Sequence, residues 1–190
     1  MVSKFVVLLL LPFVSIAVHK LYQLEVDPTD FVCHHQKQIK GDPGSLFEFI
    51  TTPLALEKLL PWLTRFKEAD KRIVAPGKSY RAVVEVPILG ERLVRALLTD
   101  YKPSKLFALD FSNDLLKQRI VIQTRGYHDR AFLQTTIYFR RTSLIYQYTI
   151  GYALRVIMKN QLEESMKNVA TLFENVGGPD KIPNFSTNNA

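Results

Sequence analysis

Cysteine is almost absent from this chain, since Cys33 is the only one among 190 residues. An intrachain disulfide is therefore impossible, and so is a zinc site built from several cysteines. The fold must hold by core packing, whatever the redox compartment. On a strand, Cys33 and the adjacent His34 project to opposite faces, so we interpret Cys33 as a small buried residue and not as an activated nucleophile.

The sequence also lacks the common motifs of cofactor binding and catalysis. None of its eight glycines forms a dinucleotide-binding or P-loop pattern, and there is no GxSxG nucleophile elbow. His34 and His35 are neighbours on a predicted strand and face opposite ways, so one metal ion could take only one of them. We expect no metal and no cofactor.

Acidic residues are fewer than basic ones, 18 against 25, which gives a formal net charge of +7. The basic residues do not repeat with aromatics as a stacking platform along a groove, so no nucleic-acid partner is expected. A basic surface also suits an anionic membrane surface as a partner, although charge alone does not choose between partners.

The longest apolar run covers Phe5 to Val18, fourteen positions that follow Lys4. Spanning a bilayer as a helix takes about 20 apolar residues, so this run is short. A basic start, a short apolar centre and small residues such as Ala17 are typical of a secretory signal. We interpret residues 1–17 as a cleaved signal peptide, which predicts the secretory pathway and an extracellular product. The alternative is a membrane anchor formed by residues 5–24.

The rest of the chain has the length of one domain, and 47% of all residues are hydrophobic, which is ample for a core. We predict a linker at residues 18–29, a domain at 30–176 and a flexible tail at 177–190.

The domain begins with a predicted strand, "FVCHHQKQI", whose inner face carries Phe31, Cys33, His35 and Ile39. Two short helices follow, "SLFEFI" and "LALEKLL", the first capped by Asp42 or Ser45. Neither helix is long enough to be stable alone, so both must pack onto something larger.

A series of alternating segments comes next, separated by turn residues, which is typical of an antiparallel sheet. Counted with the first strand, and with "TSLIYQYTIGY" as the last, this predicts seven or eight strands. A final helix of about 22 residues has a different period, with an apolar stripe. The stripe consists of Leu154, Met158, Leu162, Met166, Val169, Phe173 and Val176, and the pair Gly177 and Gly178 is expected to end the helix.

This order resembles the helix-grip fold of the START-like and Bet v 1-like superfamily, which includes polyketide cyclase-like and lipid-transport proteins. The segments that carry the resemblance are "FEFITTPLALEKLLPWL", "GKSYR", "LLTDYKPSKLFALDF" and the closing helix. The resemblance implies an α+β fold, in which a curved antiparallel sheet wraps round the long C-terminal helix and two short helices follow the first strand.

Such an arrangement predicts a cavity between sheet and helix that binds a lipid, sterol, isoprenoid or polyketide-like molecule. A cyclase or dehydratase using the same cavity, a filled core without a cavity, and a structural domain tethered at a membrane are the alternatives. Within the cavity, tyrosine hydroxyls would orient the ligand and methionines would form an adaptable lid. The residues predicted to line it are Tyr80, Val84, Phe107, Leu109, Ile122, Thr135, Ile137, Tyr146, Tyr148, Met158, Leu162 and Met166.

Overall fold

The structure of the chain is a computed structural model that describes residues 2–26, 33–86, 90–112, 118–127, 130–139 and 142–176. The helices are α1 (Val2–Gln23), α2 (Pro43–Ile50), α3 (Pro53–Leu59), α4 (Leu144–Tyr146) and α5 (Tyr152–Val176), and a π-helical segment, Gln147–Gly151, joins α4 to α5. The strands are β1 (Glu25–Val26), β2 (Cys33–Lys40), β3 (Leu63–Glu68), β4 (Ser79–Val86), β5 (Gly90–Lys102), β6 (Leu106–Ser112), β7 (Gln118–Tyr127), β8 (Arg130–Phe139) and β9 (Thr142–Ser143).

Seven of the strands form one curled antiparallel sheet in the order β2-β8-β7-β6-β5-β4-β3. Burial alternates along β7 and, apart from the buried Thr136, along β8, as it must when one face of a sheet is covered and the other meets solvent. The predicted inner faces of β4, β6, β7 and β8 are therefore confirmed for the described side chains. On β2, Cys33 and Ile39 are buried as predicted, whereas Phe31 lies outside the described residues.

Helix α5 covers the concave face with the predicted stripe. Met158, Leu162, Met166, Val169 and Phe173 are all buried, and α5 packs against β2 and α3. Val176, the last residue of the helix, is exposed, and the predicted glycine stop lies outside the described residues. The fold is thus the α+β helix-grip arrangement expected from the sequence.

Capping residues set the starts of the two short helices. Asp42 Oδ2 accepts a hydrogen bond from the backbone N–H of Ser45 at 2.8 Å, so Asp42 caps α2. Thr52 caps α3 in the same way, through the N–H of Ala55 at 3.3 Å. A proline takes the first position of each helix, where its missing N–H has no cost.

Helix α1 contacts α4 and β9 and takes no part in the seven-stranded sheet. Its described side chains, at residues 10–23, are all exposed. Immediately after it, the N–H of Leu144 donates to the carbonyl of Leu24 at 3.0 Å, and β1 pairs with β9. Among the described residues, no helix combines the length and hydropathy that crossing a membrane would take.

The prediction of a strand over "TSLIYQYTIGY" is wrong. Only Thr142–Ser143 is extended, and the chain then turns through α4 and the π-helical segment into α5. Tyrosine, isoleucine and threonine favour strands by themselves, but this preference depends strongly on tertiary context. Here the backbone bond from Leu144 to Leu24 and the start of the long helix prevail.

Candidate ligand site between the sheet and the C-terminal helix

The concave face of the sheet and the buried stripe of α5 bring most of the predicted lining residues together. From the sheet, seven of them are at most 4% exposed, and from α5, three are equally buried. Complete burial of this kind is what a packed core and a closed ligand pocket both require. These ten residues are Tyr80, Val84, Phe107, Leu109, Ile122, Thr135, Ile137, Met158, Leu162 and Met166.

Thr135 is the polar exception in the middle of this apolar wall. Its side chain is completely buried on β8, between the inner-face neighbours Leu133 and Ile137. Across the strands it is paired with His35 on β2 and Ile122 on β7. No hydrogen-bond partner for its Oγ1 exists among the described residues. A buried hydroxyl without a partner is unfavourable by about 1–3 kcal/mol, so this group can bind a polar atom that enters the site.

Thr136, the next residue, shows the contrast between the two faces of β8. Its Oγ1 lies 3.0 Å from Nδ1 of His34, and His34 is exposed on the outer face. Alternation along the strand thus gives one threonine a partner on the convex side and leaves the other facing the apolar interior.

Tyr80 lies on β4 and stacks on Phe66 of β3, with ring centroids 5.1 Å apart. Burial, and then the negative charges of Glu68 and Asp70, raise the pKa of Tyr80 far above its usual value. The phenol consequently stays protonated at any physiological pH and can serve as a hydrogen-bond donor.

Lys78 brings a positive charge to the same end of the inner face. Its side chain is buried, its Nζ lies 2.8 Å from Glu68 Oε1, and Nζ also lies 5.7 Å from the ring centroid of Tyr80. Lys78 was not among the residues predicted to line the cavity. Extending the period-two pattern of β4 back by one step from Tyr80 would have placed Lys78 on the inner face.

Three further polar groups are buried near the helix or the short helices, and sequence reasoning identified none of them. Gln118 Nε2 lies 3.5 Å from the Sδ of Met158, which joins β7 to α5. Ser165 is buried on α5 beside Met166. Trp62, just after α3, is 8% exposed, and its Nε1 has no hydrogen-bond partner among the residues described.

One predicted tyrosine, Tyr148, does not join the site. The side chain of Tyr148 is 69% exposed, because its segment is π-helical and not a strand of the sheet. The assignment of Tyr148 to the cavity wall is therefore wrong. The side chain of Tyr146 lies outside the described part of the structure.

One carboxylate of the sheet, Asp110, and the single thiol, Cys33, have structural surroundings. Asp110 is half-buried, and its Oδ1 lies 3.7 Å from Arg119 Nε on the neighbouring strand, where both residues occupy the outer face. Burial raises the pKa of the Cys33 thiol, which makes it a poor nucleophile. Within the described ranges, no cluster of three histidine, cysteine or carboxylate residues could hold a metal ion. His128 lies outside those ranges.

Comparisons with known proteins place this geometry in a fold class. No family model and no curated protein sequence matches the chain. Solved structures do match: a structural genomics target from Deinococcus radiodurans is 17% identical, covers 77% of this chain and 99% of its own, and superimposes with a TM-score of 0.56. A Thermus thermophilus protein is 10% identical, with coverages of 77% and 99% and a TM-score of 0.59.

A solution structure from Arthrobacter aurescens extends the match to 89% of this chain and 99% of its own, at 9% identity and a TM-score of 0.57. Identities this low establish a shared fold and nothing finer. Together with the strand order and the covering helix, these matches show that the chain shares its fold with the three proteins: a curved antiparallel sheet wrapped round a C-terminal helix, the helix-grip arrangement.

Proposed function

We propose that this protein binds or transports a hydrophobic small molecule, a lipid, sterol, isoprenoid or polyketide-like compound, between the inner face of the sheet and α5. The observation that carries the proposal is the hydroxyl of Thr135, completely buried in an apolar wall and without a partner among the described residues. A ligand with an apolar body and one polar atom would satisfy both the wall and the hydroxyl.

Binding would be driven by removal of the ligand's apolar surface from water, at about 25 cal/mol per Å². Phe107, Leu109 and Ile122 supply a rigid aromatic and branched wall on the sheet. Met158 and Met166 on α5 supply unbranched side chains that adapt to ligand shape. Thr135 and Tyr80 would fix the ligand's orientation, since a mostly apolar site selects its ligand through a few polar groups.

The first experiment is native mass spectrometry of the full chain, followed by solvent extraction and identification of whatever is bound. We expect a non-covalent mass adduct that disappears on extraction. Titration of the extracted protein with Nile red, an uncharged apolar dye, should then show saturable uptake. A protein that is always purified empty and takes up no dye would contradict the proposal.

Adjacent threonines provide a matched pair of variants for the same experiment. Thr135→Val removes the inner hydroxyl without a change in volume, whereas Thr136→Val removes the outer one that bonds to His34. The identified ligand should bind more weakly to the first variant, by about fivefold to tenfold for one lost hydrogen bond, and unchanged to the second. If both variants bind the ligand with equal affinity, the hydroxyl of Thr135 does not contribute to the site.

A cyclase or dehydratase is the second candidate function, and the ion pair of Lys78 and Glu68 beside Tyr80 favours it. A protonated phenol next to a buried ammonium group is suited to give a proton to a bound carbonyl or hydroxyl. Tyr80→Phe should then reduce turnover of the extracted ligand and leave its binding intact. Equal loss of binding and turnover would leave Tyr80 a binding role only.

For the N-terminus, we propose that residues 1–17 are a targeting segment ahead of a ligand-binding domain at 30–176. The exposure of the described side chains of α1, and its place outside the seven-stranded sheet, support this division. N-terminal sequencing of protein from a secreting host tests it. A mature chain that starts at Val18 is expected, and a retained Met1 would favour the anchor formed by residues 5–24.

A further inference from the structure

A second concave site lies at the end of the sheet where β5 ends and β6 begins. It is a groove of about 570 Å³, a size in the range of small-molecule sites. Three segments far apart in the chain form it: the start of α2, the β5–β6 turn and the last part of β7. The lining residues are Pro43, Gly44, Lys102, Ser104, Lys105, Leu106, Gln123, Thr124, Arg125 and Gly126.

The charges in this groove are all of one sign. Lys102, Lys105 and Arg125 line it and are exposed, and no carboxylate of a described residue forms an ion pair with any of them. Asp42 lies next to Gly44, where its Oδ2 accepts hydrogen bonds from the N–H and the hydroxyl of Ser45, and its single negative charge leaves the three cations in excess. The groove therefore presents three positive groups to a ligand.

The floor of the groove is held in place by hydrogen bonds between the turn and β7. The hydroxyl of Thr124 donates to the carbonyl of Ser104 at 2.9 Å, and its N–H donates to the carbonyl of Lys105 at 3.1 Å. Ser104 has a φ of 58°, an uncommon conformation for a residue other than glycine. The backbone of the turn is thus held in one conformation. This reduces the conformational entropy that is lost when its side chains bind a ligand.

Close packing at Gly126 brings α2 against β7 and forms one side of the groove. A Cβ atom at this position would lie 2.9 Å from Cγ of Pro43, too close for any other residue without movement of the proline. At the same end of the sheet, Lys40 is paired with Arg130, and both are exposed. This wider positive rim would raise the local concentration of an anion and speed its arrival.

The geometry points to a binding site for a phosphate-bearing ligand in this groove, separate from the apolar site under α5 and independent of the function proposed for it. Several cations around one pocket match the charge of a phosphomonoester or diphosphate, and Arg125 offers paired N–H donors to phosphate oxygens. Either a soluble phosphate compound or the headgroup of an anionic lipid could supply this chemistry.

Titration of the full chain with inorganic pyrophosphate, followed by amide NMR, tests the site directly. Resonances of Ser104, Lys105 and Arg125 should shift with a saturable dependence. The variant Lys102→Ala/Lys105→Ala/Arg125→Ala should bind at least tenfold more weakly. Raising the salt from 50 mM to 500 mM should also weaken binding, because exposed charges are screened.

The matched control removes three exposed cations from another part of the sheet, Lys67→Ala/Arg81→Ala/Arg92→Ala. It changes the net charge equally and should bind pyrophosphate like the unmodified chain. Equal weakening in both triple variants would mean unspecific attraction by net charge and would overturn the assignment.

Vesicle flotation distinguishes the two sources of phosphate. Phosphatidylcholine vesicles with and without phosphatidic acid are mixed with the full chain and with both triple variants. Flotation that needs phosphatidic acid and disappears only in the groove variant would show that a lipid headgroup is the source. Pyrophosphate binding without such flotation would indicate a soluble ligand, and binding to neither probe would refute the site. Nile red uptake reports on the apolar site under α5, whereas pyrophosphate binding reports on the groove. Failure of one proposal can therefore be told from failure of the other.

Discussion

Phe66 and Tyr80 stack with an interplanar angle of 22° and a centroid separation of 5.1 Å. This pair starts a chain of aromatic contacts across the inner face of the sheet. Tyr80 meets Phe107 edge-on at 6.4 Å, Phe107 meets Tyr101 at 6.5 Å, and Tyr101 lies 6.0 Å from Phe47. The rings therefore connect the edge strand β3 to helix α2 through the sheet, which makes Tyr80 a central packing residue as well as a polar one.

Truncation of Tyr80 should consequently be severe. Tyr80→Ala leaves a cavity between Phe66 and Phe107, and we expect a loss of about 3–5 kcal/mol in the free energy of unfolding, as for other large-to-small core changes. Tyr80→Phe keeps the ring and should lose about 1 kcal/mol or less. Urea denaturation measures both, and a loss below 1 kcal/mol for the alanine variant would contradict this packing role.

The raised pKa of Tyr80 predicts a loss of stability at alkaline pH. Tyrosine in the unfolded chain ionises near pH 10, whereas burial keeps Tyr80 protonated in the folded state. The contribution is fully present below about pH 10 and falls as the pH rises above that value, because the unfolded chain then releases a proton that the folded one retains.

Melting temperatures between pH 8 and pH 11 test this prediction. The decline at high pH should be smaller in Tyr80→Phe than in the unmodified chain. Tyr152→Phe is the control, since Tyr152 is 62% exposed, and it should decline like the unmodified chain. Parallel curves for all three proteins would show that Tyr80 does not contribute.

Thr135→Val should stabilise the ligand-free protein. The substitution removes a buried hydroxyl without a partner among the described residues, and we expect a gain of about 1 kcal/mol. Thr136→Val breaks the contact with His34 and should show no gain. Urea denaturation of extracted protein compares them. A loss of stability in Thr135→Val would mean that its hydroxyl is already hydrogen-bonded in the empty site.

Asp42→Ala should lower the free energy of unfolding by about 1 kcal/mol, since it removes the cap of α2. Asp42→Asn keeps an accepting oxygen and should lose less. Helix α2 also forms one wall of the groove lined by Lys102, Lys105 and Arg125. The alanine variant therefore tests whether this wall keeps its structure without the cap. Chemical denaturation and amide exchange of residues 43–50 measure the effect, and equal stability of both variants would show that the cap is dispensable.

Much of the fold could be predicted because it depends on short-range periodicity. On β4, β7 and β8, alternate residues such as Tyr80, Ile122 and Thr135 are buried, as a period of two requires. The stripe on α5 follows from a period of 3.6 in the same way. The cap of α2 was predicted as Asp42 or Ser45, and the structure shows that it is Asp42.

By itself, then, the sequence determined which residues face the interior, because the two periods of strand and helix sort side chains without reference to distant contacts. Only the tertiary structure decided the course of residues 142–151, where backbone bonding to Leu24 and the approach to α5 prevailed over strand preference. It also decided that Lys78 pairs with Glu68 of β3 and that Lys102, Lys105 and Arg125 line one groove. Such sites join residues that are remote in the chain, and no local pattern encodes which of them will meet.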